Sequence, residues 1–398
     1  MRKLLFAAAA SALVLSAWAH ILVYNQDGTN FTATHGDDQM TADGLRAFLD
    51  TVIGGGQVTH FFFNLNGQAA SFDSKTIPPS WWRLDTVKGE PPVCPRRDLL
   101  LHRNGVDVGQ VYVDGCRARK VSPWYSMRMN DVHCVDDPSW WGHSKFRLEH
   151  PEFWCVPHAK GNGPWTRKAL DFAHPEVRAY SLAFVKEVLD RWDVDGIECD
   201  WMRFTEHLRP GRQREDAHFL TEFMREVRKL TDAAAARRGH PVRIAARVAS
   251  RPDAALEHGT DAVAWAKEGL VDWVIPCNFF SSVDFDLPCA DWKRRLAAVN
   301  PKVLVLPGAD TGVVDVDPKT GRNGPRRMMT VEEYRGFADR MHRQGADGIY
   351  IFNLFTYFEP AYKTNDRGPW NFILQKGLAP GSIKGLPKSI PPHWWYER

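Results

Sequence analysis

Neither sign of charge dominates this sequence. Its 51 Lys and Arg face 48 Asp and Glu, a formal net charge of +3 at pH 7. A chain so balanced is not built to neutralise a run of phosphates, so nucleic acid is not an expected partner. Beyond the N-terminal segment no apolar run reaches the ~18 residues that would cross a bilayer. No Cys-x-x-Cys or Cys/His ligand spacing occurs, so a structural zinc site is not expected. No Gly-rich phosphate loop follows the first apolar run, where Asn25-Gln26-Asp27-Gly28 stands instead, and a dinucleotide fold is excluded. No nucleophile elbow supports a Ser–His–Asp triad. No internal repeat or low-complexity segment interrupts the chain. No cofactor is expected.

The first 19 residues are of a different kind. Arg2 and Lys3 precede the uncharged run Leu4 to Leu15, and Ala17-Trp18-Ala19 is an Ala-x-Ala cleavage pattern. This predicts a signal peptide over 1–19, a mature chain from His20, and a secreted or periplasmic protein with no membrane attachment after cleavage. Export would permit disulfides. Seven cysteines leave at least one thiol unpaired, with Cys134–Cys155 and Cys94–Cys116 as candidate pairs.

The mature chain alternates short apolar runs with amphipathic stretches. Strands are predicted at His20–Tyr24, Val58–Leu65, Val121–Met129, Val194–Cys199, Val242–Val248, Asp272–Cys277, Val303–Leu306 and Gly348–Phe352. Helices fall between them. One spans His174–Trp192, with Pro175 at its start; another spans Val331–Gln344, with Thr330 and Glu333 as a capping box. Eight β-then-α units predict an α/β fold, a single (β/α)8 TIM barrel over 20–377, with a long Trp-rich loop after strand 3. A Pro/Gly-rich tail, 378–398, is expected to wrap the surface.

Barrel enzymes carry their sites at the carboxyl ends of the strands. Nearly every predicted strand hands over a polar group there: Asp27, Asn64, Arg128, Asn130, Asp131, His133, Asp200, Arg247, Asn278, Asp310 and Glu359 among them. Glu198 and Asp200 are two apart on a strand and share a face. Held together inside a barrel, they would separate in acidity, one ionised and one proton-bearing. Glu198 would otherwise pair with an interior Arg such as Arg128 or Arg247, and Arg203 could hold ionised Asp200. The sequence also carries 16 Trp. Trp140 and Trp141 in the long loop, and Trp201 beside Asp200, would suit stacking on sugar rings.

The run Asp195-Gly196-Ile197-Glu198-Cys199-Asp200-Trp201-Met202-Arg203-Phe204 resembles the fourth-strand signature of bacterial barrel glycoside hydrolases. The helix start His174-Pro175-Glu176-Val177-Arg178 is similar to the one that precedes that strand. The resemblance implies that Asp200 is the nucleophile or an oxocarbenium stabiliser. In the chitinase pattern the catalytic acid would fall on Met202, which cannot protonate a leaving group. Chitinase-type chemistry is therefore not expected. Glycoside hydrolysis needs a second carboxyl group, and Glu198 and Glu359 are the candidates. Arg128, Asn130, Asp131, His133, Arg203 and Asn278 are expected to hold sugar hydroxyls. The substrate would be a polysaccharide or oligosaccharide, and the basic residues of the long loop and strand ends point to an anionic one. Two other readings stand: a carbohydrate-binding barrel without turnover, and a metal-dependent deacetylase or amidohydrolase using Asp131 and His133. The second has no His-x-His after the first strand to support it.

Overall fold

The computed structural model describes residues 20–160, 164–278, 282–317, 319–320, 322–354 and 373–394, without the side chains of 165 and 394. The expected leader lies outside the described residues. Strands β1 (Ile21–Gln26), β2 (His60–Phe63), β3 (Ser122–Arg128), β4 (Gly196–Asp200), β5 (Arg243–Ala249) and β6 (Trp273–Cys277) pair in parallel, each with the next. The seventh barrel strand is in two pieces, β7 (Leu304–Val305) and β8 (Gly308–Ala309). Pro307 lies between them and has no N–H to give the ladder. A hairpin follows, β9 (Gly312–Val316) and β10 (Asn323–Met328), and then β11 (Gly348–Phe352), which pairs with both β8 and β1 and closes the barrel.

Side chains alternate across this closed sheet. Leu22, Tyr24, Phe61, Phe63, Tyr125, Ile197 and Ile244 point outward into the large core beneath the helices. Ile21, Val23, Phe62, Trp124, Trp273 and Tyr350 point inward. The Trp124 and Trp273 rings stack with centroids 4.4 Å apart, and Phe62 stacks on Trp124 at 4.7 Å. A Cβ on Gly196 would meet the Trp124 ring at 2.4 Å, so the glycine makes room for the plug. Toward the carboxyl ends the inward positions become polar: Asn25, Ser126 and Glu198, then Arg128, Asp200 and Arg247. An apolar floor thus carries a polar mouth.

Helices Ala42–Ile53, Val108–Ala118, Pro175–Arg191, Ala217–Arg238, Cys289–Val299 and Val331–Arg343 surround the barrel. Pro175 sits in the first turn, and the Thr330/Glu333 capping box forms as predicted. The tail runs along the last helix, where Ser389 N–H reaches the Glu332 carbonyl at 3.0 Å. It ends as β12 (His393–Trp394), antiparallel to β9. All seven cysteines are unpaired, so neither candidate disulfide forms; Cys116, Cys155, Cys199, Cys277 and Cys289 are buried.

Candidate active site

A cleft of about 460 Å³ opens at the carboxyl ends of the strands. Asp27, following β1, and Arg128, ending β3, meet across its floor. Arg128 gives its other terminal nitrogen to Asp131 at 3.1 Å, so one guanidinium bridges two carboxylates. Asp131 also accepts from His133 Nδ1 at 2.7 Å, and Arg203 Nη2 lies 3.2 Å from the other His133 nitrogen. Asp27 is fixed by the Thr29 N–H and hydroxyl at 3.0 and 2.9 Å. Although burial opposes ionisation of Asp27 and Asp131, their basic neighbours hold both carboxyls below the usual range: Arg128 for Asp27, His133 and then Arg128 for Asp131.

One wall carries Trp140 and Trp141, half-buried, with ring centroids 5.1 Å apart. They are tied down from the second βα loop: Arg83 donates to the Pro138 and Trp140 carbonyls, and Trp82 Nε1 donates to the His143 carbonyl at 2.9 Å. Asp310 and Thr311, just before the hairpin, and Arg326 on β10 also line the cleft. Asp98, on the helix Val93–Arg103, also faces the cleft. It accepts from the Ser80 hydroxyl at 2.7 Å, has no salt bridge among the described residues, and is pushed up to about 7 by burial.

Glu198 and Asp200 share the interior face, as their spacing predicts. Asp200 is only 1% exposed. Both its oxygens lie 3.0 Å from Nη1 of Arg247 on the neighbouring strand, and Oδ1 accepts the Met202 and Arg203 N–H groups at 3.0 and 2.9 Å. Arg247 rather than the Arg203 guanidinium therefore holds it; Arg203 contributes its backbone. Glu198 is sealed below, accepting from Asn25 Nδ2 at 3.0 Å and from the Ser126 hydroxyl. Burial, and next the Asp200 charge, push Glu198 up to about 8. Neither carboxyl lines the cleft; Asp200 stands in register beside Arg128 at its edge.

Of the remaining expected residues, Arg128, Asp131, His133, Arg203, Trp140 and Trp141 come together around the cleft. Three do not. Trp201 follows inward-facing Asp200 and so falls on the outward side, packed on Phe172, Phe223 and Trp265 at 1% exposure; its expected stacking on sugar is corrected. Asn130 commits its amide to the Leu170 and Glu206 backbone and ties two loops together instead of holding a hydroxyl. Asn278 is buried at the end of β6, off the cleft. Glu359 lies outside the described residues. Asp98 and Arg326 were not expected. Asp98 sits in a helix that no strong periodicity marks, and the hairpin carrying Arg326 is too polar to read as strand. Among the described residues no group of three or more His, Cys, Asp and Glu side chains is placed to hold a metal ion.

No family model matches the chain, and no curated protein matches it in sequence. Solved structures do. The α-L-fucosidase isoenzyme 2 from Paenibacillus thiaminolyticus aligns over 92% of this chain at 14% identity and a TM-score of 0.54. This chain spans about half, 49%, of that enzyme. The PgaB (BpsB) glycoside hydrolase domain from Bordetella bronchiseptica aligns over 89% of this chain and 99% of its own, at 12% identity and a TM-score of 0.49. The chitinase-like agglutinin RobpsCRA from Robinia pseudoacacia aligns over 86% and 96%, at 10% identity and a TM-score of 0.46. The likeness to the fucosidase is one of fold, a (β/α)8 barrel.

Proposed function

We propose that this protein is an exported glycoside hydrolase acting on a polysaccharide or oligosaccharide in the cleft at the barrel mouth. One observation carries the reading. The cleft sets two half-buried indoles on the wall of a floor built from a carboxylate–guanidinium network, with Asp200 beside it on β4. Flat apolar faces beside hydrogen-bonding groups suit a sugar ring. Asp200 is the nucleophile or oxocarbenium stabiliser. It stands in register with Arg128, which lines the cleft, and Arg247 holds its carboxylate in place. Glu198 cannot reach a sugar from its sealed position and serves to position Asp200. The acid/base is then Glu359, which follows the eighth strand in sequence, or Asp98. Asp98 is a cleft carboxyl without a basic partner, and a pKa near neutrality suits proton transfer. Arg128, Arg203 and Arg326 give the cleft donors for hydroxyls or for an anionic substituent.

Purified mature protein on a panel of neutral and anionic polysaccharides tests the reading, with release of reducing ends as the readout. Wild type is expected to release sugar, and Asp200→Asn to lose at least about 10³-fold in rate while remaining folded. Full activity in Asp200→Asn would remove the β4 carboxylate from the chemistry. On aryl glycosides with good leaving groups, loss of the true acid is spared, which separates Glu359→Gln from Asp98→Asn. A second reading, a carbohydrate-binding barrel without turnover, is favoured by the closure of Asp200 against Arg247. It predicts a glycan-dependent rise in melting temperature with no reducing ends.

A further inference from the structure

Next to the cleft lies a second, smaller cavity of about 40 Å³. Asn66, Gly67, Gln68, Arg128 and Asp131 line both spaces. The small cavity holds roughly one to three water-sized spheres, too little for a sugar. Its distinctive residue is Arg147, on the short helix Lys145–Glu149. Arg147 is 2% exposed, and its Nε and Nη2 are buried without a hydrogen-bond partner among the described residues. The Trp154 ring lies 5.0 Å from its Cζ, which leaves no carboxylate on that side. The Tyr180 hydroxyl, on the wall of the same cavity, is likewise buried, with the Ser144 side chain as a polar neighbour.

The carboxylates around this space are committed to other cations. Asp131 spends one oxygen on Arg128 and the other on His133, and Arg128 is further paired with Asp27. Arg147 has no salt bridge among the described residues. Water can satisfy stray N–H donors, but it supplies no counter-charge, and an unpaired buried guanidinium is costly. Burial pulls Arg147 down to about 10, against the smaller opposing influence of the Asp131 and Asp136 charges.

We infer that this cavity is a binding site for a small monovalent anion of halide size, held by Arg147 Nε and Nη2 and the Tyr180 hydroxyl. The ion neutralises Arg147 next to the Arg128–Asp131 pair, so it stiffens one side of the cleft floor. The inference does not depend on the cleft's being a glycosidase site.

Thermal unfolding tests it without a substrate. In chloride, the melting temperature is expected to exceed that in gluconate at equal ionic strength by roughly 2 °C or more, because a ligand that binds the folded state stabilises it. Arg147→Gln is expected to abolish the difference. Tyr180→Phe keeps the ring that stacks on Phe146 at 4.2 Å, and is expected to raise the chloride concentration needed severalfold. Equal melting temperatures in the two salts, or an undiminished chloride response in Arg147→Gln, would overturn the assignment. Should Arg147→Gln not fold, wild-type crystals grown in bromide decide. An anomalous peak beside Arg147 supports the site, and water alone there refutes it.

Discussion

Asp200 and Arg247 form the most exposed-to-test pair in the molecule, since each is buried and each answers the other's charge. Arg247→Met strands the carboxylate, and is expected to cost about 3–5 kcal/mol in urea unfolding. Adding Asp200→Asn should recover part of that loss, because the stranded charge is gone. Strict additivity of the two changes would contradict the coupling. Glu198 makes a different prediction. Its folded pKa of about 8 lies above the unfolded carboxyl value of 4.5. Its contribution is therefore complete below about pH 4.5 and is lost as pH rises toward 8, since the unfolded chain releases a proton that the folded chain keeps. Glu198→Gln should flatten the fall in melting temperature across that window, and parallel profiles for variant and wild type would refute it. His60 and His207 act in the opposite sense. Burial lowers them to about 3 and about 4, so their penalty grows as pH falls below 6.5.

At the scale of elements, β4 is the one on which fold and site meet. Gly196 faces the Trp124 ring, Glu198 the polar layer and Asp200 the mouth, all through a period of two. Gly196→Ala forces a methyl group into the indole and is expected to destabilise by about 1–3 kcal/mol, as overpacking does. Its urea midpoint reads this directly, and an unchanged midpoint would mean that the aromatic plug yields freely. The last helix offers a simpler case. Thr330→Ala removes the hydroxyl that caps Glu333 N–H at 3.2 Å, and about 1 kcal/mol of stability with it.

For the whole molecule, the C-terminal tail decides how the seventh and eighth units are held. Leu378 and Ile383 are buried, the Ser389 carbonyl packs against Gly336, and β12 completes a small sheet with the hairpin that supplies Arg326 to the cleft. Truncation at residue 377 is expected to lower the melting temperature and to make the β9–β10 hairpin the first site of limited proteolysis. Cleavage beginning elsewhere, with the hairpin protected, would show that β12 does not support it. Among the described residues no helix is long and apolar enough to cross a membrane.

The barrel was legible because its strands are apolar runs and its helices carry a 3.6-residue period; local chemistry dictates both. The capping box at Thr330 and the shared face of Glu198 and Asp200 were legible for the same reason. The break at Pro307, the polar hairpin and the helix carrying Asp98 were less so, because their order comes from packing rather than from pattern. The partners of charges belong to the tertiary structure alone. Which arginine holds Asp200, whether Trp201 faces a ligand or the helices, and that Arg147 makes no salt bridge among the described residues all depend on residues tens of positions apart in the chain. Sequence spacing sets the face a side chain takes, and only the closed barrel determines what stands opposite it.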